Sequence, residues 1–144
     1  MSAEGPDGRV SRLEEIEAAV TLVLAEWPSV IAAWLFGSVA TGEAGPLSDV
    51  DIAVLGGAAL SFDERAQLAV DLQGAIGRSC DVVVVEHASP VLAMAIVDTG
   101  RRFLCRDADA ADTWEDGALR RYLDTANLRR IVYEYVREDL RGPR

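Results

Sequence analysis

Leu35-Phe36-Gly37-Ser38-Val39-Ala40-Thr41-Gly42-Glu43-Ala44-Gly45-Pro46-Leu47-Ser48-Asp49-Val50-Asp51-Ile52-Ala53-Val54-Leu55 decides how the rest of the chain is read. A short apolar run ends in Gly37-Ser38, and after a ten-residue gap Asp49-Val50-Asp51 opens a second apolar run. Alternate residues of a strand share a face, which sets Asp49 and Asp51 side by side, roughly 6 to 7 Å apart along the backbone. Val50, Ile52 and Val54 then turn the other way, towards a core. Two neighbouring carboxylates repel, so the pair is costly unless a cation lies between them. A divalent metal whose shell is completed by phosphate oxygens is the usual solution.

Outward from this stretch the chain reads as alternating helices and strands. Ser11-Arg12-Leu13-Glu14 has the form of a capping box, followed at helical spacing by Leu13, Ile16, Val20, Val23, Leu24 and Trp27 up to Pro28. Ile31 to Phe36 and Asp49 to Leu55 read as strands. Gly42, Gly45 and Pro46 place a tight turn region between them, with room for one helical turn after Ser38. Ser61-Phe62-Asp63-Glu64 is a second capping box, and Gly77 closes the helix it opens. Asp81 to Val85 is a third strand. Ser89-Pro90 starts a helix that Gly100 stops, and Arg101 to Cys105 forms a short edge strand. A long last helix is predicted from about 113 to 141, with a break near Asn127. The pattern is α/β in the α+β sense, one small mixed sheet flanked by helices. Residues 1–10 form a loose polar tail and 11–141 a single domain.

The chain has 144 residues, half of them hydrophobic, enough for one core. No apolar run approaches the length of a membrane span, and the polar start lacks a signal region, so a cytoplasmic protein is expected. Cys80 and Cys105 have no metal-site spacing and read as reduced, buried thiols. The single histidine, His87, reads as a surface loop residue rather than a catalytic base.

The net charge of −10 opposes binding to nucleic acid. It is unevenly spread: residues 1–100 hold fifteen acids against four Arg, residues 101–144 nine acids against ten Arg. All fourteen basic residues are Arg. Any side-chain phosphate clamp is therefore Arg or a hydroxyl, although genome composition is the better explanation of all-Arg usage.

Gly37-Ser38, the ten-residue gap and Asp49-Val50-Asp51 resemble the signature of the DNA polymerase β-like nucleotidyltransferases. Cys80-Asp81-Val82-Val83-Val84-Val85, Ser89-Pro90-Val91-Leu92 and Thr99-Gly100-Arg101-Arg102-Phe103-Leu104 extend the likeness to the minimal, single-domain members. Among these the chain is most similar to the MntA-type antitoxins paired with HepT-type toxins. The resemblance implies a nucleotidyltransferase fold and Mg²⁺-dependent transfer of AMP from ATP to a tyrosine of the toxin. It implies that Asp49, Asp51 and Asp81 hold two Mg²⁺ ions and act in catalysis, and that Gly37 and Ser38 bind the triphosphate. Outside the resemblance, Asp81 also fits a strand-end aspartate, and Asp49-Asp51 a solvated pair.

The chain departs from the family's frequent Gly-Ser-x-Ala-Arg-Gly by carrying Thr41 where the Arg stands. Losing one charge-assisted hydrogen bond to phosphate weakens binding by about 1.5 to 3 kcal/mol. Arg101 and Arg102 are the candidates to compensate. Two other readings remain: an antitoxin that acts by occlusion alone, and a small-molecule nucleotidyltransferase, for which the chain has no visible acceptor domain.

Overall fold

The computed structural model describes residues 8–43 and 48–140. Its elements run α1 (Gly8–Leu24), β1 (Ala32–Phe36), α2 (Gly37–Thr41), β2 (Val50–Leu55), α3 (Phe62–Ile76), β3 (Cys80–Val84), α4 (Pro90–Thr99), β4 (Arg101–Cys105), α5 (Ala108–Asp124) and α6 (Ala126–Leu140). The strands form one mixed sheet in the order β3-β2-β1-β4. β1 is antiparallel to both β2 and β4, whereas β2 and β3 run parallel. This is the expected α+β architecture.

Strand alternation divides the core in two. Ala33, Leu35, Val50, Ile52, Val54, Cys80 and Val84 face Leu13, Val20 and Leu24 of α1 and Leu68 and Leu72 of α3. Ala32, Trp34, Phe36, Ala53 and Leu55 face Ile96 of α4 and Ala111 of α5. Trp34 is almost wholly buried, its Nε1 donating to Glu115 Oε1 at 2.8 Å, as a buried indole requires. Trp114 stacks obliquely on it, with ring centroids 5.1 Å apart.

The local signals hold at several ends. Ser61 Oγ accepts from Glu64 N at 3.1 Å, and Glu64 Oε1 accepts from Ser61 N at 3.0 Å. Ser89 Oγ accepts from Leu92 N at 3.2 Å, with Pro90 at the first helical position. Several boundaries differ. α1 begins at Gly8, so Ser11-Arg12-Leu13-Glu14 lies inside the helix; a capping-box pattern does not forbid an earlier start. The last helix starts at Ala108 rather than near 113 and is two, α5 and α6, meeting at Thr125, close to the break expected near Asn127. The tail expected over residues 1–10 lies outside the described residues up to position 7, as do Gly45 and Pro46 of the expected turn.

The cysteines separate. Cys80 is buried as expected, but Cys105 is exposed, because it ends an edge strand that no further strand covers. No helix among the described residues is long and apolar enough to cross a membrane.

Candidate active site

Strand register assembles the site. Asp51 pairs with Phe36 of β1 on one side and with Asp81 of β3 on the other. Asp51, Ala53 and Leu55 alternate with Val50, Ile52 and Val54, so Asp51 belongs to the Trp34 face while its neighbours enter the other core. Asp49 stands one residue before β2 and is exposed. The edge of the sheet where β1 ends and β2 and β3 begin thus collects all three predicted carboxylates.

Gly37 lies against this group. Its φ is +76°, which side chains with a Cβ rarely adopt, and a Cβ there would run into the Asp51 carboxylate. The glycine answers two demands at once, a left-handed backbone and a close approach. From here the chain turns into α2, the expected helical turn, with Ser38 at its second position. Gly37 N lies 3.5 Å from Thr99 Oγ1, at the end of α4.

Burial, then Asp81 and then Asp49 raise the Asp51 pKa above its ordinary 3.8. The Cys80 thiol is pushed up to about 12, by burial first and then by Asp81, Asp51 and Asp49. At neutral pH Cys80 is a protonated packing residue, not a nucleophile. His87 is exposed at the far end of β3 and joins no catalytic group.

The two arginines expected to reach phosphate are otherwise engaged. Arg101 grips Glu17 through Nε and a terminal nitrogen at 3.0 and 3.1 Å. Arg102 pairs with Asp112 and Glu115, both at 2.8 Å, and lies over the Trp34 ring. Both tie β4 to helices. Among the described residues, no Arg forms an ion pair with Asp49, Asp51 or Asp81.

Two residues of this edge were passed over in the sequence. The Arg78 guanidinium donates to the Ser48 carbonyl, and Val50 N donates to Ser79 O at 2.9 Å, so the segment before β3 pins the approach to Asp49. Arg78 did carry a signal, being one of only four Arg in the first hundred residues. Thr99 carried none, since its nearness to Gly37 arises from the return of α4 to this edge.

The donor set is oxygen-only, acidic and without a cationic partner among the described residues, which suits a hard divalent ion. Among the same residues, no three acidic, His or Cys side chains converge closely enough to form a cage by themselves. Ligands from outside the chain, such as phosphate oxygens, fit the remainder of such a shell.

Known proteins share this fold. The chain is 36% identical over 75 residues to the Protein adenylyltransferase MntA of Shewanella oneidensis, a match taking in 52% of this chain and 54% of that protein. The chain thus spans about half the length of the curated relative it matches. A crystal structure of a toxin–antitoxin with AMP-PNP superposes with a TM-score of 0.75 at 27% identity, over 83% of this chain and 97% of that one. The fold is likewise shared, at a TM-score of 0.71 and 24% identity over 84% and 95% of the two chains, with a structure of the tri-AMPylated Shewanella oneidensis HEPN toxin in complex with MNT antitoxin. The family model described as Polymerase beta, Nucleotidyltransferase spans residues 19–109, from α1 past β4 and so across the whole acidic edge, and the chain belongs to that family.

Proposed function

We propose that this chain is a Mg²⁺- and ATP-dependent protein adenylyltransferase, an antitoxin that silences a cognate HepT-type toxin by transferring AMP to one of its tyrosine hydroxyls. One observation carries the reading: β2–β3 register sets Asp51 beside Asp81, with the Gly37 backbone against Asp51. The names of its relatives, an adenylyltransferase and a toxin–antitoxin with AMP-PNP, support the substrate and the partner. Residues 11–141 act as one domain in this reading, and the setting is cytoplasmic, where ATP is the donor.

The acceptor oxygen forms a bond to the α-phosphorus of ATP, the bond from that phosphorus to the bridging oxygen breaks, and pyrophosphate leaves with the electron pair. Such a reaction depends on positioning and on stabilising spread negative charge. Asp49, Asp51 and Asp81 would hold two Mg²⁺ ions, which when bound would supply charge neutralisation for the triphosphate and polarisation of the acceptor oxygen. Asp81, exposed on β3 beside Asp51, faces the acceptor hydroxyl in this reading and takes its proton on the way to solvent. Gly37 lets the phosphates approach the backbone, and Ser38 contributes its hydroxyl. Thr99 holds the Gly37 turn in place.

The test is intact-mass spectrometry of a HepT-type toxin incubated with the protein, ATP and Mg²⁺. An Asp49→Asn/Asp51→Asn variant is run in parallel. AMP-sized mass steps that vanish with the variant are expected. A second reading, neutralisation by occlusion alone, is favoured by Thr41 and by the engagement of Arg101 and Arg102 in structural pairs. A toxin of unchanged mass, bound equally well by both proteins, would establish that reading instead.

A further inference from the structure

The α6 helix presents an apolar stripe that no element among the described residues buries. Leu128, Ile131, Val132, Tyr135 and Val136 follow i, i+3, i+4, i+7, i+8 spacing, are 48 to 75% exposed, and α6 buries no residue. Most helical stability comes from packing such a stripe against something.

Its place in the fold says where the covering must come from. α4 and α5 both return from the far end of the sheet: Arg106 N donates to Ile31 O before β1, whereas Glu115 meets Trp34 midway along it. With a helical rise of 1.5 Å per residue, the last nine residues of α5 advance about 13 Å further, beyond the Phe36 end of β1. Helical bonding continues through the break, Thr125 N to Arg121 O at 3.1 Å and Arg129 N to Thr125 O at 3.0 Å. α6 therefore starts at the end of the sheet that holds Asp49, Asp51 and Asp81.

We infer that the α6 stripe is a docking surface for the acceptor protein itself, a basic partner whose apolar groove receives the stripe while its hydroxyl-bearing side chain enters the acidic edge. The inference rests on the adenylyltransferase reading, which requires a macromolecule at that edge. Area excludes α6 as a self-sufficient interface. A helix about 22 Å long and 10 Å wide offers a footprint of roughly 220 Å², against about 800 Å² per partner in a stable complex. A partner that also seats on the catalytic edge supplies the rest. Charge selects against a second copy, which brings −10 against −10, and in favour of a basic protein. α6 itself opposes neither, with Arg129, Arg130 and Arg137 balanced by Glu134, Glu138 and Asp139.

The experiment uses Ile131→Glu/Tyr135→Glu, which disturbs no buried residue, with Arg130→Gln on the polar face as control. AMP transfer to a HepT-type toxin is followed at saturating ATP while toxin is varied, and Mg²⁺-ATP binding is measured by calorimetry. The double variant is expected to raise the KM for toxin at least tenfold, leaving kcat and nucleotide affinity unchanged, while the control matches wild type. An unchanged KM overturns the inference and leaves the transfer reading intact. If wild type transfers no AMP, sedimentation of the mixed proteins reads docking alone: a complex lost in the double variant supports the surface although transfer has failed, and a complex retained overturns it. A wild-type dimer that the double variant disperses assigns the stripe to a second copy and overturns it as well.

Discussion

Asp51 is held in a place that resists its charge. Burial and two like-charged neighbours raise its pKa, so the folded chain binds that proton more tightly than the unfolded chain does. The associated stability is present at low pH and is lost as pH rises from the ordinary 3.8 through the raised value. At neutral pH the metal-free protein therefore carries an unrelieved repulsion. Asp51→Asn is expected to raise the thermal midpoint of the metal-free protein at pH 7, to remove the further rise that Mg²⁺ gives wild type, and to cut AMP transfer by about a hundredfold or more. Circular-dichroism melts between pH 4 and 8, with and without Mg²⁺, check the first two. In wild type, Mg²⁺ affinity is expected to fall on acidification from a higher pH than an ordinary aspartate would impose. Gly37→Ala moves stability the other way. A left-handed backbone costs a residue with a Cβ about 1–2 kcal/mol, and the new methyl presses on Asp51. A lower melt and a loss of nucleotide binding should appear together in calorimetry. These residues were legible because their spacing is itself chemistry: two acids on one strand face, and a glycine where backbone must approach charge. Thr99 and Arg78 were not, because each acts through a contact set by the return of a distant element.

At the scale of elements, whatever is decided locally could be read, and whatever is decided by a neighbour could not. The capping box at Ser61 and the Ser89-Pro90 start are both local hydrogen-bond patterns and both formed. The tyrosines of the last two helices were not legible in this way: Tyr133 and Tyr135 are exposed, and only Tyr122 is partly covered, under the Arg129 guanidinium. Periodicity shows that a stripe exists, not that this chain supplies what covers it. The end of α1 makes the same point. Arg106, just beyond β4, donates to Leu24 O at 2.7 Å, Trp27 O at 3.0 Å and Val30 O at 2.7 Å, capping carbonyls nearly eighty residues upstream. No sequence window links them. Arg106→Ala is expected to destabilise the fold by about 2 kcal/mol, since each bond is charge-assisted and the carbonyls lose a partner. Arg106→Lys, with no planar fork, should recover only part of this. Urea melts measure both, and transfer assayed well below the melt should remain near wild type, because Arg106 lies at the end of the sheet remote from Asp51.

The whole molecule adds a long-range field to these contacts. Its acids are concentrated in the first hundred residues, which hold all three site carboxylates, while residues 101–144 are almost balanced. Mg²⁺ bound there, as proposed, would cancel only the local part of that charge. The remainder attracts a basic protein from beyond contact distance, and it does so through solvent, where salt screens it over about 8 Å at physiological ionic strength. Contact across the apolar α6 stripe is short-ranged and scarcely screened. The two terms should therefore separate kinetically. Stopped-flow association with the HepT-type toxin is expected to slow about tenfold or more between low and physiological salt, while dissociation changes little. Ile131→Glu/Tyr135→Glu should do the reverse, speeding dissociation and leaving the salt dependence of association intact. An association rate indifferent to salt would show that the acidic half does not steer this encounter, and that recognition begins only at contact.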